Sequence, residues 1–142
     1  MAKQLVLAGG GHAHLVTLAN IHAIKEKGFE VVVIGPSIHH YYSGMGPGML
    51  GRTYSPEEIR FATKHVVEKQ GGRFVLGSVT HVDPEKRTVY LESGETISYD
   101  VISFNTGSYV PQTLVTKDDG DIFTVKPIEK LIQAQKRIIE LT

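Results

Sequence analysis

Short apolar runs, each bounded by glycine or polar residues, form the main pattern along this chain. Leu5–Leu7 and Glu30–Ile34 are too short for core helices but have the length of buried parallel strands. Between them, Leu15–Ala23 repeats its apolar residues at helical spacing, and Gly28 is suited to end that helix. A strand, a helix and a strand within about thirty residues predict a βαβ unit.

The second half of the chain changes from helical to strand-like spacing. Phe74–Leu76 and Val101–Phe104 are two further buried runs. Between them, three short strands separated by polar turns predict an antiparallel meander: Ser78–Val82, Thr88–Leu91 and Glu95–Ser98. After these strands, Pro127 opens a helical pattern that continues to Thr142.

Two neighbouring segments in the middle of the chain give opposite predictions. Ile38–Tyr54 is too aromatic for a solvated linker and too rich in glycine for a helix, so it predicts a binding loop. Ser55–Glu58 carries the serine, proline and glutamate of a capped helix start. We expect that helix to end at Gly71-Gly72 and to bury Ile59, Ala62 and Val66.

The glycine motif after the first strand carries the candidate chemistry. Gly9, Gly10 and Gly11 stand between a strand and a helix, where backbone approach and helix N–H groups favour a phosphate. The dinucleotide fingerprint G-x-G-x-x-G reads Gly9, Gly11 and then His14 in place of the third glycine. Gly35–Ser37 replaces the usual Asp or Glu at the end of the second strand, which leaves the ribose to the serine, the backbone or no residue. Another nucleotide, or a structural turn that binds nothing, remains an alternative.

Composition narrows the function classes. The chain has 142 residues, enough for one domain, and its 15 basic side chains balance 15 acidic ones. No clustered basic segment is present, so we expect no nucleic-acid partner. The absence of cysteine excludes thiolate metal sites and a dithiol within these residues. Without a signal peptide or an apolar run of about 18 residues, we expect a cytoplasmic protein with no transmembrane segment.

His12-Ala13-His14 allows a second interpretation, a metal-dependent hydrolase. Such a site needs further His and Asp ligands, and the remaining histidines of the chain show no ligand spacing. We therefore expect no metal, and we interpret His12 and His14 as neighbours of a phosphate, with simple packing of His14 as the alternative.

Four segments together resemble the pyridine nucleotide–disulfide oxidoreductases, and most of all the type II NADH dehydrogenases and sulfide:quinone reductases. The matching segments are GGGHAHL at 9–15, YSGMGPGML at 42–50, FVLGSVTHVD at 74–83 and YDVISFNTGSYVP at 99–111. The resemblance implies an α/β fold, a Rossmann-like FAD/NAD(P)-binding domain with a parallel sheet flanked by helices. It also implies that the meander at about 78–98 belongs to this domain.

The same resemblance implies FAD as the cofactor and NAD(P)H as the co-substrate of the full-length enzyme. By position, the pyrophosphate would lie along the glycine turn, the ribose near Pro36 and Ser37, and the adenine near the backbone of Val79. The implied cofactor-binding residues are Gly9, Gly11, His12, Ala13, His14, Pro36, Ser37, Ser43, Val79, Thr106 and Gly107. No catalytic residue can be assigned from the sequence.

In function, the resemblance implies the FAD-binding part of an oxidoreductase that passes electrons from a nicotinamide nucleotide to a quinone or another acceptor. Without cysteine, the disulfide-reductase branch is disfavoured. The alternatives are a non-catalytic nucleotide-binding module and the metal-dependent hydrolase using His12 and His14.

The resemblance also implies that residues 1–142 form only part of such an enzyme. The helix at about 127–142 would lead into an absent NADH domain, and the whole enzyme would lie in the cytoplasm or at a membrane surface. We expect the isolated chain to be inactive and to self-associate through an uncovered sheet edge or helix face.

Overall fold

A computed structural model describes residues 2–111 and 121–142. The chain divides into two compact units, one of Met1–His40 with Ala62–Gly107 and one of Tyr41–Phe61 with Ser108–Thr142. The elements are, in order, β1 (Lys3–Ala8), α1 (Leu15–Ala19), α2 (Ile21–Glu26), β2 (Phe29–Gly35), β3 (His40–Tyr41), α3 (Gly46–Leu50), β4 (Arg60–Phe61), α4 (Thr63–Glu68), β5 (Arg73–Leu76), β6 (Val79–Asp83), β7 (Thr88–Leu91), β8 (Thr96–Ser98), β9 (Val101–Phe104) and α5 (Glu129–Glu140).

The first unit is built on a parallel sheet with the strand order β5-β2-β1-β9. Alternate residues of its strands point to opposite faces. One face packs against helices through Leu7, Leu18, Ile21, Val31, Val33 and Val67. The other packs against the meander through Val6, Val32, Ile34, Val75, Val89, Leu91 and Ile97. The predicted fold class, a parallel sheet flanked by helices with a small antiparallel meander, is therefore confirmed.

The helix expected after the glycine turn is divided. A 3₁₀ turn at His12–His14 precedes α1, and α1 and α2 are separated at Asn20. The Asn20 side-chain amide donates to the carbonyl oxygen of Val16 at 2.7 Å, a local bond of the type that competes with helix continuation. Gly28, with φ +84°, follows the second helix as expected for a helix stop.

In the second unit, the prediction that Ile38–Tyr54 contains no helix is wrong, since α3 lies within it. Pro47 stands in the first turn of this helix, where its fixed φ favours helix initiation. Met49 of α3 is fully buried and packs with Ile59, Ile128 and Leu131. Burial of this apolar face outweighs the low helix propensity of the glycines.

The prediction of a helix starting at Ser55 is also wrong. The capping-box bonds do form, since Ser55 N–H donates to Glu58 Oε2 at 2.7 Å and Glu58 N–H donates to Ser55 Oγ at 3.3 Å. They close a turn, however, after which Ile59 accepts a backbone hydrogen bond from Tyr42 and the chain enters β4. The helix begins only at Thr63, because this tertiary pairing competes with local helix propagation.

Candidate functional site

The glycine turn connects the ends of three parallel strands. Gly9 follows β1, and its N–H donates to the carbonyl oxygen of Ile34 in β2 at 2.8 Å. Asn105 follows β9, donates its N–H to Ala8 at 2.8 Å and accepts the N–H of Gly11 at 3.3 Å. The turn is thereby fixed to the strands on both sides of β1.

Glycine is required here by close approach. A Cβ atom on Gly9 would lie 2.1 Å from the carbonyl oxygen of Asn105, and Gly9 has φ +93°. A Cβ on Gly11 would lie 1.9 Å from Asn105 Oδ1. Both distances are far shorter than van der Waals contact, so Gly9 packs closely against the backbone of Asn105 and Gly11 against its side chain.

A cavity of about 220 Å³ opens at this edge of the sheet. It lies at the carboxyl ends of the parallel strands, which is the general ligand position in open α/β sheets. Its walls are the glycine turn, the end of β2, the start of β6 and the segment after β9: Ala8, Gly9, Gly10, Gly11, Ile34, Pro36, His40, Gly77, Ser78, Val79, Asn105 and Thr106. No carboxylate is among these lining residues.

The predicted site residues fall into three groups. Those that line the cavity are Gly9, Gly11, Pro36, Val79 and Thr106. Those that lie in the first unit without lining it are His12, Ala13, His14, Ser37 and Gly107. Ser37 accepts the His39 N–H at 3.2 Å. Ser43 belongs to the second unit, where it begins a 3₁₀ turn.

His14 lies beneath the glycine turn with only 3% of its surface exposed. Its Nδ1 is 2.7 Å from the carbonyl oxygen of Gly9, and its Nε2 is 2.9 Å from Ser103 Oγ in β9. Both ring nitrogens therefore contact protein atoms.

Asn105 and His40 line the cavity although the sequence did not mark them as site residues. Asn105 could have been found, because it is the first residue after a parallel strand and so shares an edge with Gly9. His40 lies close to the turn, since a Cβ on Gly10 would be 3.9 Å from the His40 Cβ. No sequence signal distinguishes His40 from the preceding His39.

The described residues, 2–111 and 121–142, contain no group of three or more His, Asp or Glu side chains able to hold a metal ion. Among the described residues, the groups whose pKa departs from its ordinary value do not line the cavity. A hydrogen bond from the Lys86 backbone lowers the pKa of Asp83, and a hydrogen bond from Arg137 lowers the pKa of Asp121.

Comparison with known proteins identifies relatives of this chain, although no family model matches it. It is 31% identical over 105 residues to the mitochondrial sulfide:quinone oxidoreductase of Dictyostelium discoideum. It is 30% identical over 111 residues to the assimilatory nitrate reductase electron transfer subunit of Bacillus subtilis. The chain is related to the pyridine nucleotide–disulfide oxidoreductases.

A solved structure of a sulfide:quinone oxidoreductase has a fold similar to that of this chain. The sulfide:quinone oxidoreductase of Aquifex aeolicus superposes on 99% of the chain with a TM-score of 0.84 and 21% identity. The resemblance to this group of oxidoreductases stated from the sequence is thus confirmed.

The matches cover 73% and 76% of this chain for the two sequence relatives. The chain spans 23% and 14% of the length of those relatives and 32% of the Aquifex aeolicus chain. Within the described part of the chain, no helix is both long and apolar enough to cross a membrane.

Proposed function

We propose that this chain is the FAD-binding part of an NAD(P)H-dependent flavin oxidoreductase that passes electrons to a quinone or another acceptor. The observation that carries the proposal is the cavity at the carboxyl ends of the strands, with the glycine turn as one wall. The names of two relatives, which include quinone and electron transfer, support the reaction class.

The residues present fit a dinucleotide. Gly9–Gly11 line the cavity with backbone atoms alone, and a Cβ atom on Gly9 or Gly11 would clash with Asn105. A diphosphate could contact this wall closely. Ile34, Pro36 and Val79 offer an apolar surface suited to an adenosine. When bound, FAD would accept hydride from NAD(P)H and release electrons singly or in pairs to the acceptor.

The size of the cavity limits what it holds. At about 220 Å³ it is below the roughly 300–1,000 Å³ of sites that enclose a whole drug-sized ligand. We infer that it takes the adenosine and diphosphate portion, and that the flavin is held by residues outside the cavity. The roles of His12, Ala13, Ser37, Ser43 and Gly107 in cofactor binding stay predictions.

The test uses the full-length purified protein. We expect a yellow protein with the two absorbance bands of a flavin, which releases FAD on denaturation, and whose bound flavin is bleached by NADH or NADPH. Release of a nicotinamide nucleotide alone, together with no binding in an FAD titration, would overturn the assignment. Bound FAD that neither nucleotide reduces would instead favour the non-catalytic module.

Self-association and location belong to this proposal as well. On the edge strand β9, Val101 is 53% and Phe104 is 49% exposed, so the isolated chain has an apolar edge that could pair with a second copy. Sedimentation velocity of the chain, with Phe104→Lys as the variant expected to shift it to monomer, tests this. We propose a cytoplasmic location at a membrane surface, since quinones dissolve in lipid, and membrane fractionation tests it.

A further inference from the structure

His14, which replaces the third glycine of the fingerprint, makes two hydrogen bonds in addition to its packing contacts. His14 is one of the two buried polar residues among those described, and its ring lies between the glycine turn and β9. The two atoms it joins, the Gly9 carbonyl oxygen and Ser103 Oγ, are far apart in sequence: Gly9 lines the cavity, and Ser103 lies in β9, two residues before the cavity-lining Asn105.

The partners of the ring fix its protonation pattern. A backbone carbonyl oxygen only accepts hydrogen bonds, so Nδ1 must carry the hydrogen that faces Gly9 at 2.7 Å. In a neutral ring Nε2 is then an acceptor, and the Ser103 hydroxyl donates to it at 2.9 Å. Since the ring is 3% exposed, water does not replace either bond easily.

These bonds act on the part of the turn that matters for a ligand. Gly9 has φ +93°, and the His14 ring donates to its carbonyl oxygen at 2.7 Å, which adds a side-chain contact to the backbone hydrogen bonds of Gly9 and Gly11. Asn105, two residues after Ser103, accepts the Gly11 N–H at 3.3 Å, so Ser103 and Asn105 hold the turn from two points of one chain segment.

We propose that His14 is a positioning residue: its Nδ1–H holds the Gly9 carbonyl, and its Nε2 anchors the ring to Ser103, so that the glycine turn keeps the shape in which a cofactor diphosphate contacts it. The diphosphate rests on the proposed function. The protonation pattern of His14 and its two hydrogen bonds are independent of the proposed function, since they follow from protein atoms alone.

The first test needs no cofactor. Nitrogen-15 NMR of histidine-labelled full-length protein, freed of cofactor and kept near pH 8 so that an ordinary histidine is neutral, reports which ring nitrogen carries hydrogen. We expect one histidine locked with hydrogen on Nδ1, and this signal is lost in His14→Gln. A His14 ring that carries hydrogen only on Nε2 would overturn the proposal, whether or not the protein binds FAD.

The second test separates the two ring nitrogens with amides. In His14→Asn the amide can take the place of Nδ1 and donate to Gly9, whereas in His14→Gln it reaches the place of Nε2 and loses that donor. We expect FAD affinity within about threefold of wild type for His14→Asn and roughly tenfold weaker for His14→Gln, at similar unfolding midpoints. His22→Asn, at an exposed histidine paired with Glu26 at 3.3 Å, is the matched control with unchanged affinity.

The outcomes distinguish the two proposals. Wild-type protein that binds no FAD contradicts the proposed function and leaves the NMR result to decide on His14. Wild-type protein that binds FAD while His14→Asn and His14→Gln bind it equally well contradicts the positioning role. Equally weakened FAD binding in both variants also contradicts the positioning role, because a loss of packing alone would then explain the effect.

Discussion

The two glycine-rich segments of this chain look alike in sequence and differ in what surrounds them. Gly9–Gly11 lies in the first unit, and the alternating glycines at positions 44, 46 and 48 lie in the second. Both belong to segments that resemble the flavin oxidoreductases, and in both the glycines suggest close approach of a ligand to the backbone.

The neighbours of each glycine show the difference. A Cβ on Gly9 would meet the Asn105 carbonyl at 2.1 Å, and backbone cannot move without displacing β9. A Cβ on Gly44 or Gly48 would meet the rings of Tyr42 or Tyr54 at 2.8 and 2.7 Å. A side chain can rotate away, so the second segment tolerates what the first does not.

The strongest way to test this contrast is Gly9→Ala. We expect a loss of roughly 2–4 kcal/mol in the free energy of unfolding, because a left-handed φ and a backbone clash act together. Urea unfolding of the chain, followed by circular dichroism, measures it. Gly28→Ala is the matched control: φ is +84°, nothing lies within 4 Å, and only the cost of about 1–2 kcal/mol for the left-handed conformation should appear. Equal losses at both positions would mean that packing against Asn105 is unimportant.

Gly11→Ala sharpens the comparison, since its closest neighbour is the side chain of Asn105. We expect a loss of about 1–3 kcal/mol, from forcing the amide aside, and weaker FAD binding by the full-length protein. In an Asn105→Ala background the same change should cost less, which a double-mutant cycle measures. The Asn105 carbonyl at 3.0 Å stays in place, so part of the cost remains. A cycle with no coupling would show that the amide does not restrict Gly11.

This contrast also shows what the sequence could predict. The βαβ unit and the meander follow from local patterns, such as the apolar runs at Leu5–Leu7 and Val31–Ile34 and the turn before Thr88. The glycine turn was recognisable as a candidate site for the same reason. Local pattern was sufficient wherever the deciding contacts are close in sequence.

Local sequence pattern was insufficient where contacts between residues distant in sequence determine the structure. The hydrogen bond between Ser103 and His14 joins residues 89 positions apart, and no spacing in the sequence points to it. Ser55 and Glu58 formed their predicted bonds, yet Ile59 packs into the core of the second unit and the helix does not propagate. α3 forms despite the glycine content because Met49 is buried there.

Gly46→Ala is expected to have a moderate effect. Its Cβ would lie 3.1 Å from the terminal methyl groups of Ile128 and Leu131, both of which are nearly buried. These side chains have to shift by a few tenths of an ångström, and we expect a loss of about 1 kcal/mol in the free energy of unfolding. Gly46→Ala combined with Leu131→Val should recover part of the loss, and no recovery would mean that the Leu131 methyl is not the obstacle.

Gly48→Ala should have the smallest effect, although the added Cβ would lie only 2.7 Å from the Tyr54 ring. Tyr54 is 38% exposed, so its ring can turn toward solvent. Alanine within α3 also gains roughly 0.5–1 kcal/mol over glycine, which offsets the lost ring contact. We expect a free energy of unfolding within about 0.5 kcal/mol of wild type. In a Tyr54→Ala background, where the ring is absent, Gly48→Ala should raise the free energy of unfolding. A loss of about 2 kcal/mol or more would place this glycine with Gly9, and the distinction between backbone and side-chain neighbours would then fail.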